Sequence, residues 1–349
     1  MAKFRVALSG DFVKADGAPT FPMFDLASLR SEPNIEVDYV APVDGVMPAA
    51  GLAGHDALIL LTPKFDRSSV PADGRLAIVA RFGVGYDSVD VEACTAAGIA
   101  LAITPDGVRR PVAAAILTFI LALAGKMMTK DKLTRGGPTE FAKKTQHMGV
   151  GLVGRTLGSV GIGNIGAEMF RLCKPLDMKF IAHDPLADRK TADALGVRLV
   201  DLEAVFRESD FLAVNCPLMP ETTHLVNAER LALMKPTAYL INTARGPIVD
   251  QKALTKVLQE RRIAGAGLDV FDPEPPPADD PILKLDNVIL TPHALCWTDQ
   301  CFAGIGASDV RAVLDVMHGR DPTGVVNRPV LSTPAWRKRL DGYRTGFGV

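Results

Sequence analysis

The chain has 349 residues, enough for two domains with separate cores. Apolar residues make up 48% and aromatics only 6%, a balance that fits an α/β protein built on Ala, Val, Leu and Ile. A net charge of −1, from 39 basic and 40 acidic side chains, points away from a nucleic-acid or membrane-surface partner. The five cysteines have no CxxC spacing. Neither a disulfide framework nor a metal site is expected, and a reducing, cytoplasmic setting is.

In chain order, residues 4–8, 35–40, 57–61, 76–81 and 99–103 are apolar runs of strand length. Helix-like or loop segments separate them, which predicts a small parallel sheet. Gly83-Val84-Gly85 follows the fourth run, at the end where open α/β sheets bind ligands. Thr104-Pro-Asp-Gly107 reads as a turn, and Pro111 then suits the first turn of a helix running to about Ala124. That helix is apolar on nearly every face, so burial between domains or subunits is expected rather than a membrane span. Residues 129–144 read as a charged, irregular surface excursion.

The stretch Gly161-Ile-Gly163-Asn164-Ile165-Gly166 follows a short apolar strand and opens a helix. GxGxxG in that context is a dinucleotide-binding signature: Gly161 for the tight turn, Gly163 for close approach to a pyrophosphate, Gly166 for helix–strand packing. A second strand ends in Asp184, 18 residues after Gly166. A carboxylate there accepts hydrogen bonds from the adenosine ribose and repels a 2′-phosphate, which favours NAD over NADP. Further strands are expected at 211–216, 238–243, 264–270 and 287–291, and a helix over 299–317. The whole reads as two doubly wound domains, a Rossmann cofactor domain at 107–295 inserted in a flavodoxin-like substrate domain made of 1–106 and 296–349. The tail from Ser332 is expected to be solvated or loosely packed.

Arg245, Glu274 and His293 each follow a strand of the second domain. Singly they have ordinary readings as a turn cation, a loop acid and a satisfied histidine. Beside a nucleotide site they form a cation, an acid and a proton carrier, the set that hydride transfer on a 2-hydroxy acid requires. Histidine can give or take the hydroxyl proton, a carboxylate orients the imidazole and favours its charged form, and arginine holds a substrate carboxylate at two points.

These segments, with Arg81-Phe-Gly-Val-Gly-Tyr-Asp, Asn242-Thr-Ala-Arg-Gly-Pro-Ile-Val-Asp, Gly267-Leu-Asp-Val-Phe and Thr291-Pro-His, resemble the D-isomer-specific 2-hydroxyacid dehydrogenases from about Leu76 to Pro329. The resemblance implies His293 as acid/base, Glu274 as its partner, Arg245 as substrate anchor, and the backbone of Val84 and Gly85 as a carboxylate site. It implies NAD bound by Gly161, Gly163, Asn164, Ile165, Gly166 and Asp184. Cys216, Pro217 and Thr222 would lie on the adenosine side, with Thr243, Ala244 and Asp269 near the nicotinamide. A small 2-hydroxy or 2-keto acid substrate and a homodimer are implied as well. Formate dehydrogenases are similar but carry glutamine where Glu274 stands. The contrasting class is an NAD(H)-sensing binding protein of the corepressor type.

The sequence departs from the family at Gly107-Val-Arg109-Arg110-Pro-Val-Ala-Ala, where Val-Ala-Glu is usual. One expectation is that Arg109 or Arg110 meets a second anionic group on the substrate; the other is a surface or interface role. Trp297 either shapes the substrate side or packs on a partner subunit. The chain ends about 20 residues after Pro329, which leaves no room for the regulatory domain of some phosphoglycerate dehydrogenases.

Overall fold

A computed structural model describes residues 3–347. They form two compact units, one running up to Val108 and resuming at Thr298, the other Arg109–Trp297.

In the first unit β1 (Phe4–Ser9), β2 (Ile35–Val40), β3 (Ala57–Leu60), β4 (Ile78–Arg81) and β5 (Ala100–Ala102) form a parallel sheet in the order β2-β1-β3-β4-β5. That is the flavodoxin-like order, with its reversal between β1 and β3. The central strand β3, Ala-Leu-Ile-Leu, is buried throughout, as a strand covered on both faces must be. At the edge, β2 leaves Glu36 and Tyr39 exposed.

The second unit has seven parallel strands: β6 (Thr156–Val160), β7 (Lys179–His183), β8 (Val197–Leu199), β9 (Phe211–Val214), β10 (Tyr239–Asn242), β11 (Gly265–Leu268) and β12 (Val288–Leu290). Their order is β12-β11-β10-β9-β6-β7-β8, the doubly wound Rossmann arrangement extended by one strand, with its reversal between β6 and β9. Sequence reading missed β8 because Val-Arg-Leu is too short to show a period. Apolar cores cover both faces of this sheet.

The helix after β5 begins at Pro105 rather than Pro111 and runs to Ala124. Pro105 supplies the helix start, and Pro111 inside it leaves the Gly107 carbonyl without its usual helical donor. Among the described residues this is one helix long and apolar enough to cross a membrane. Its Ala113, Ile116, Phe119, Ile120, Leu123 and Ala124 are instead buried in one core of the second unit, together with Leu157, Phe170 and Tyr239. The expected irregular excursion is helical over Met127–Arg135 and Gly137–Phe141, though exposed and charged as read.

The tail is a correction. Pro334–Phe347 is a helix packed on the first unit. Trp336 is 1% exposed and its indole N–H donates to Asp321 at 2.7 Å. Arg339 donates to the carbonyls of Gly74, Leu76 and Gly98, and the Tyr343 hydroxyl donates to Asp56. Trp336, Leu340, Tyr343 and Phe347 fall at helical spacing, so one stripe faces the first unit while Arg337, Lys338, Asp341 and Arg344 are exposed. Trp336→Ala should therefore cost about 3 kcal/mol or more in urea unfolding. A solvated tail would show no loss.

Candidate active site

The turn after β6 is built by close approach. Gly161 has φ 97°, and a Cβ there would stand 2.8 Å from the backbone of Asn215; one on Gly166 would meet the Gly161 carbonyl at 2.6 Å. Only glycine permits both. The helix Asn164–Cys173 starts directly after this turn, so its first N–H groups and partial positive charge face outward. Asp184, after β7, accepts from the N–H of Ile162 and of Leu186, each at 2.9 Å. A cavity of about 320 Å³ brings together Gly163, Asn164 and Asp184, with Arg109, Asp188 and Thr191 around them. Here the residues fit a dinucleotide: an anion-binding helix start, an open glycine and a ribose-facing carboxylate share one hollow. A larger cleft, about 460 Å³, lies against Lys174, Lys190 and Ala194 and touches none of the glycine turn.

The remaining expected cofactor residues lie outside that cavity's lining. Cys216 follows β9, and burial pushes its thiol up to about 11, so it stays protonated near neutral pH. The Thr222 hydroxyl donates to the Pro217 carbonyl and accepts from the Met219 N–H, closing its own loop.

The second cluster follows β10, β11 and β12. The Asn242 side chain accepts from the Ala244 N–H and donates to the Arg245 carbonyl, shaping the loop that presents the Arg245 side chain. Gly246 lets this loop touch the next, because a Cβ there would lie 1.7 Å from the Phe271 carbonyl oxygen. Phe271 in turn donates its N–H to Glu274 at 3.2 Å. His293 Nδ1 stands 2.6 Å from Glu274 Oε1. His293 holds a left-handed backbone, φ 53°, unusual for a side-chain-bearing residue and concentrated in functional sites.

What keeps that conformation is Asp269, 3% exposed. Its carboxylate accepts from the Thr291 hydroxyl at 2.6 Å and from the N–H groups of Ala294 and Leu295. Expected to approach the nicotinamide, Asp269 has its carboxylate engaged on the histidine loop. Sequence reading missed this tie, for which a buried acid directly after a strand is the one available signal. Burial opposes ionisation of Glu274, but the His293 hydrogen bond and charge, the Phe271 N–H and the Arg245 charge outweigh it. Its carboxyl is held below the usual range. The pair is thus complete above ordinary carboxylate titration and is lost as pH falls through the lowered value.

A profile of the D-isomer specific 2-hydroxyacid dehydrogenase NAD binding domain matches residues 117–294. The chain belongs to the D-isomer-specific 2-hydroxyacid dehydrogenase family. It is similar to a glyoxylate reductase of Korarchaeum cryptofilum, 40% identical over 79% of this chain and 84% of the relative. A D-3-phosphoglycerate dehydrogenase of Synechocystis sp. is 34% identical over 98% of this chain, which spans 59% of that relative. The crystal structure of a glyoxylate reductase from Paecilomyes thermophila superposes with a TM-score of 0.80 at 25% identity, covering 94% of this chain and 100% of that one. This 2-hydroxyacid dehydrogenase is an NAD-dependent oxidoreductase that uses a nicotinamide cofactor.

In the first unit, Val84 and Gly85 follow β4, where the Gly83 N–H donates to Thr104 Oγ1 at 3.1 Å and the Thr104 N–H donates to the Gly83 carbonyl. Phe82, just before them, is ringed by Phe12, Phe21, Phe24 and Phe302. Trp297 ends the second unit with its side chain exposed.

Arg110 has a partner within the second unit. Its guanidinium donates to Glu168 at 2.7 Å, a buried carboxylate that also accepts from Arg171 at 3.0 Å. Arg110's hydrogen bond, against the cost of burial and with Arg171's help, holds that carboxyl below its usual range. Arg110 is thus paired with a buried acid within the second unit. Arg110→Ala should lower unfolding stability by about 1 kcal/mol and leave the preference between mono- and dianionic keto acids unchanged. A changed preference would return Arg110 to the substrate.

Proposed function

We propose that this dehydrogenase interconverts a small 2-keto acid and its D-2-hydroxy acid, with His293 as the acid/base, Glu274 as its partner and Arg245 as the substrate anchor. The observation that carries this reading is the 2.6 Å contact between His293 and Glu274, in a cluster where the Arg245 charge also acts on Glu274. With Nδ1 facing Glu274, the imidazole carries its hydrogen there and leaves Nε2 for the substrate oxygen. The hydride at the carbon would be supplied or accepted by a nicotinamide held in the second unit. In reduction, imidazolium Nε2 gives its proton to the oxygen as the carbonyl becomes a hydroxyl; in oxidation neutral Nε2 takes it back.

Glu274 accepts the Nδ1 hydrogen and so orients the imidazole and balances positive charge on it. Arg245 fits a carboxylate by its planar two-point geometry and polarises the keto oxygen. The N–H groups of Val84 and Gly85, in the first unit, are proposed to bind a substrate carboxylate. Thr243 and Ala244 complete the nicotinamide side, Cys216, Pro217 and Thr222 the adenosine side. Asp184 and Asp188 favour NAD over NADP, because a 2′-phosphate would enter a hollow lined by two carboxylates. In this reading the unit Arg109–Trp297 holds the cofactor and the other holds substrate. The relatives' names make glyoxylate the first substrate to test.

NADH consumption by the purified protein with glyoxylate, hydroxypyruvate and pyruvate should proceed and be faster than with NADPH. His293→Ala should abolish it. Equal rates in the mutant would end the acid/base assignment. For Glu274→Gln, the reduction rate should fall by about tenfold or more, because the imidazole loses the carboxylate that orients it; an unchanged rate would remove Glu274 from this role.

Leu121, Met127, Met128, Phe141, Met148 and Val153 are exposed large apolar side chains on the second unit. They support a homodimer formed through this unit. Light scattering should give twice the chain mass, and a mass equal to the chain's would rule it out.

A further inference from the structure

We propose that Arg109 binds the pyrophosphate of the nicotinamide dinucleotide. Resting on the cofactor reading above, this adds a binding residue that neither the glycine signature nor the family resemblance supplied. Arg109 lines the same cavity as Gly163 and Asn164, the two residues at the start of the helix Asn164–Cys173. A pyrophosphate diester carries two negative charges, whereas a helix start offers about half a positive charge together with its N–H groups. Asn164 adds no charge. A guanidinium in the same hollow supplies the missing cation, and its fork matches two phosphate oxygens at once.

Two neighbouring cations share one buried acid. Arg171, which also lines the cavity, is hydrogen-bonded to Glu168, and Arg110 holds the other oxygen of that carboxylate. The acids of the cavity decide which phosphate Arg109 serves. Asp184 and Asp188 disfavour a 2′-phosphate at the ribose end. That leaves the pyrophosphate, which NAD and NADP share. Placement in the nucleotide cavity also replaces the expectation that Arg109 meets a second anionic group on the substrate.

The test is calorimetric titration of the full chain with NADH, NADPH and adenosine, for wild type, Arg109→Ala and Arg109→Lys. Arg109→Ala should raise the Kd for NADH and NADPH by about tenfold and by the same factor, while adenosine, which has no phosphate, binds as in wild type. Arg109→Lys should recover part of the loss, since it restores the charge without the fork. Raising salt should weaken wild type more than Arg109→Ala. Unchanged NADH binding in Arg109→Ala overturns the proposal. So does a loss confined to NADPH, which would assign Arg109 to the 2′-phosphate, or an equal loss for adenosine, which would make it a structural residue. Wild type that bound neither dinucleotide would overturn the cofactor reading with it, an outcome distinct from normal binding left untouched by the substitution.

Discussion

A single buried carboxylate, Asp269, ties together the strand ends on which the chemical cluster depends. Its backbone N–H donates to the Asn242 carbonyl at the end of β10, and its side chain holds Thr291, Ala294 and Leu295 after β12. Buried acceptors are costly to leave unmet, so these bonds are strongly enforced once the strands are in register. They keep His293 in a left-handed conformation it would not choose alone.

Arg245 and Glu274 depend on the same strand ends. Gly246 brings the loop after β10 against Phe271, and Phe271 donates to Glu274. Three residues scattered over about fifty positions meet because parallel strands all end on one edge. The glycine turn occupies that edge at the strand-order reversal between β6 and β9. Parallel topology therefore places both the glycine turn and the His293–Glu274 pair within one unit.

Much of this was legible in the chain itself. Apolar runs of strand length predicted both sheets, and the glycine spacing and Asp184 marked residues that the fold brings to one cavity. Signals carried by few residues were not legible: β8 has only three, and Pro111 looked like a helix start when Pro105 had already supplied one. In the tail the charges of Arg337, Lys338 and Arg339 masked the Trp336, Leu340, Tyr343, Phe347 stripe. That stripe becomes an interior only when the first unit offers a surface for it.

Local pattern by itself determined the two doubly wound units, the nucleotide turn and the three residue types of the chemical cluster. These follow from periodicity and from glycine's access to conformations other residues avoid. Only the tertiary structure decided placement: Arg110 against Glu168, Arg109 in the lining of the cavity beside Gly163, Asp269 against the histidine loop. Arg109 and Arg110 are adjacent in sequence and identical in chemistry. Helix geometry turns neighbours about 100° apart, so one side chain meets a buried acid while the other meets the cavity, and no linear pattern distinguishes them.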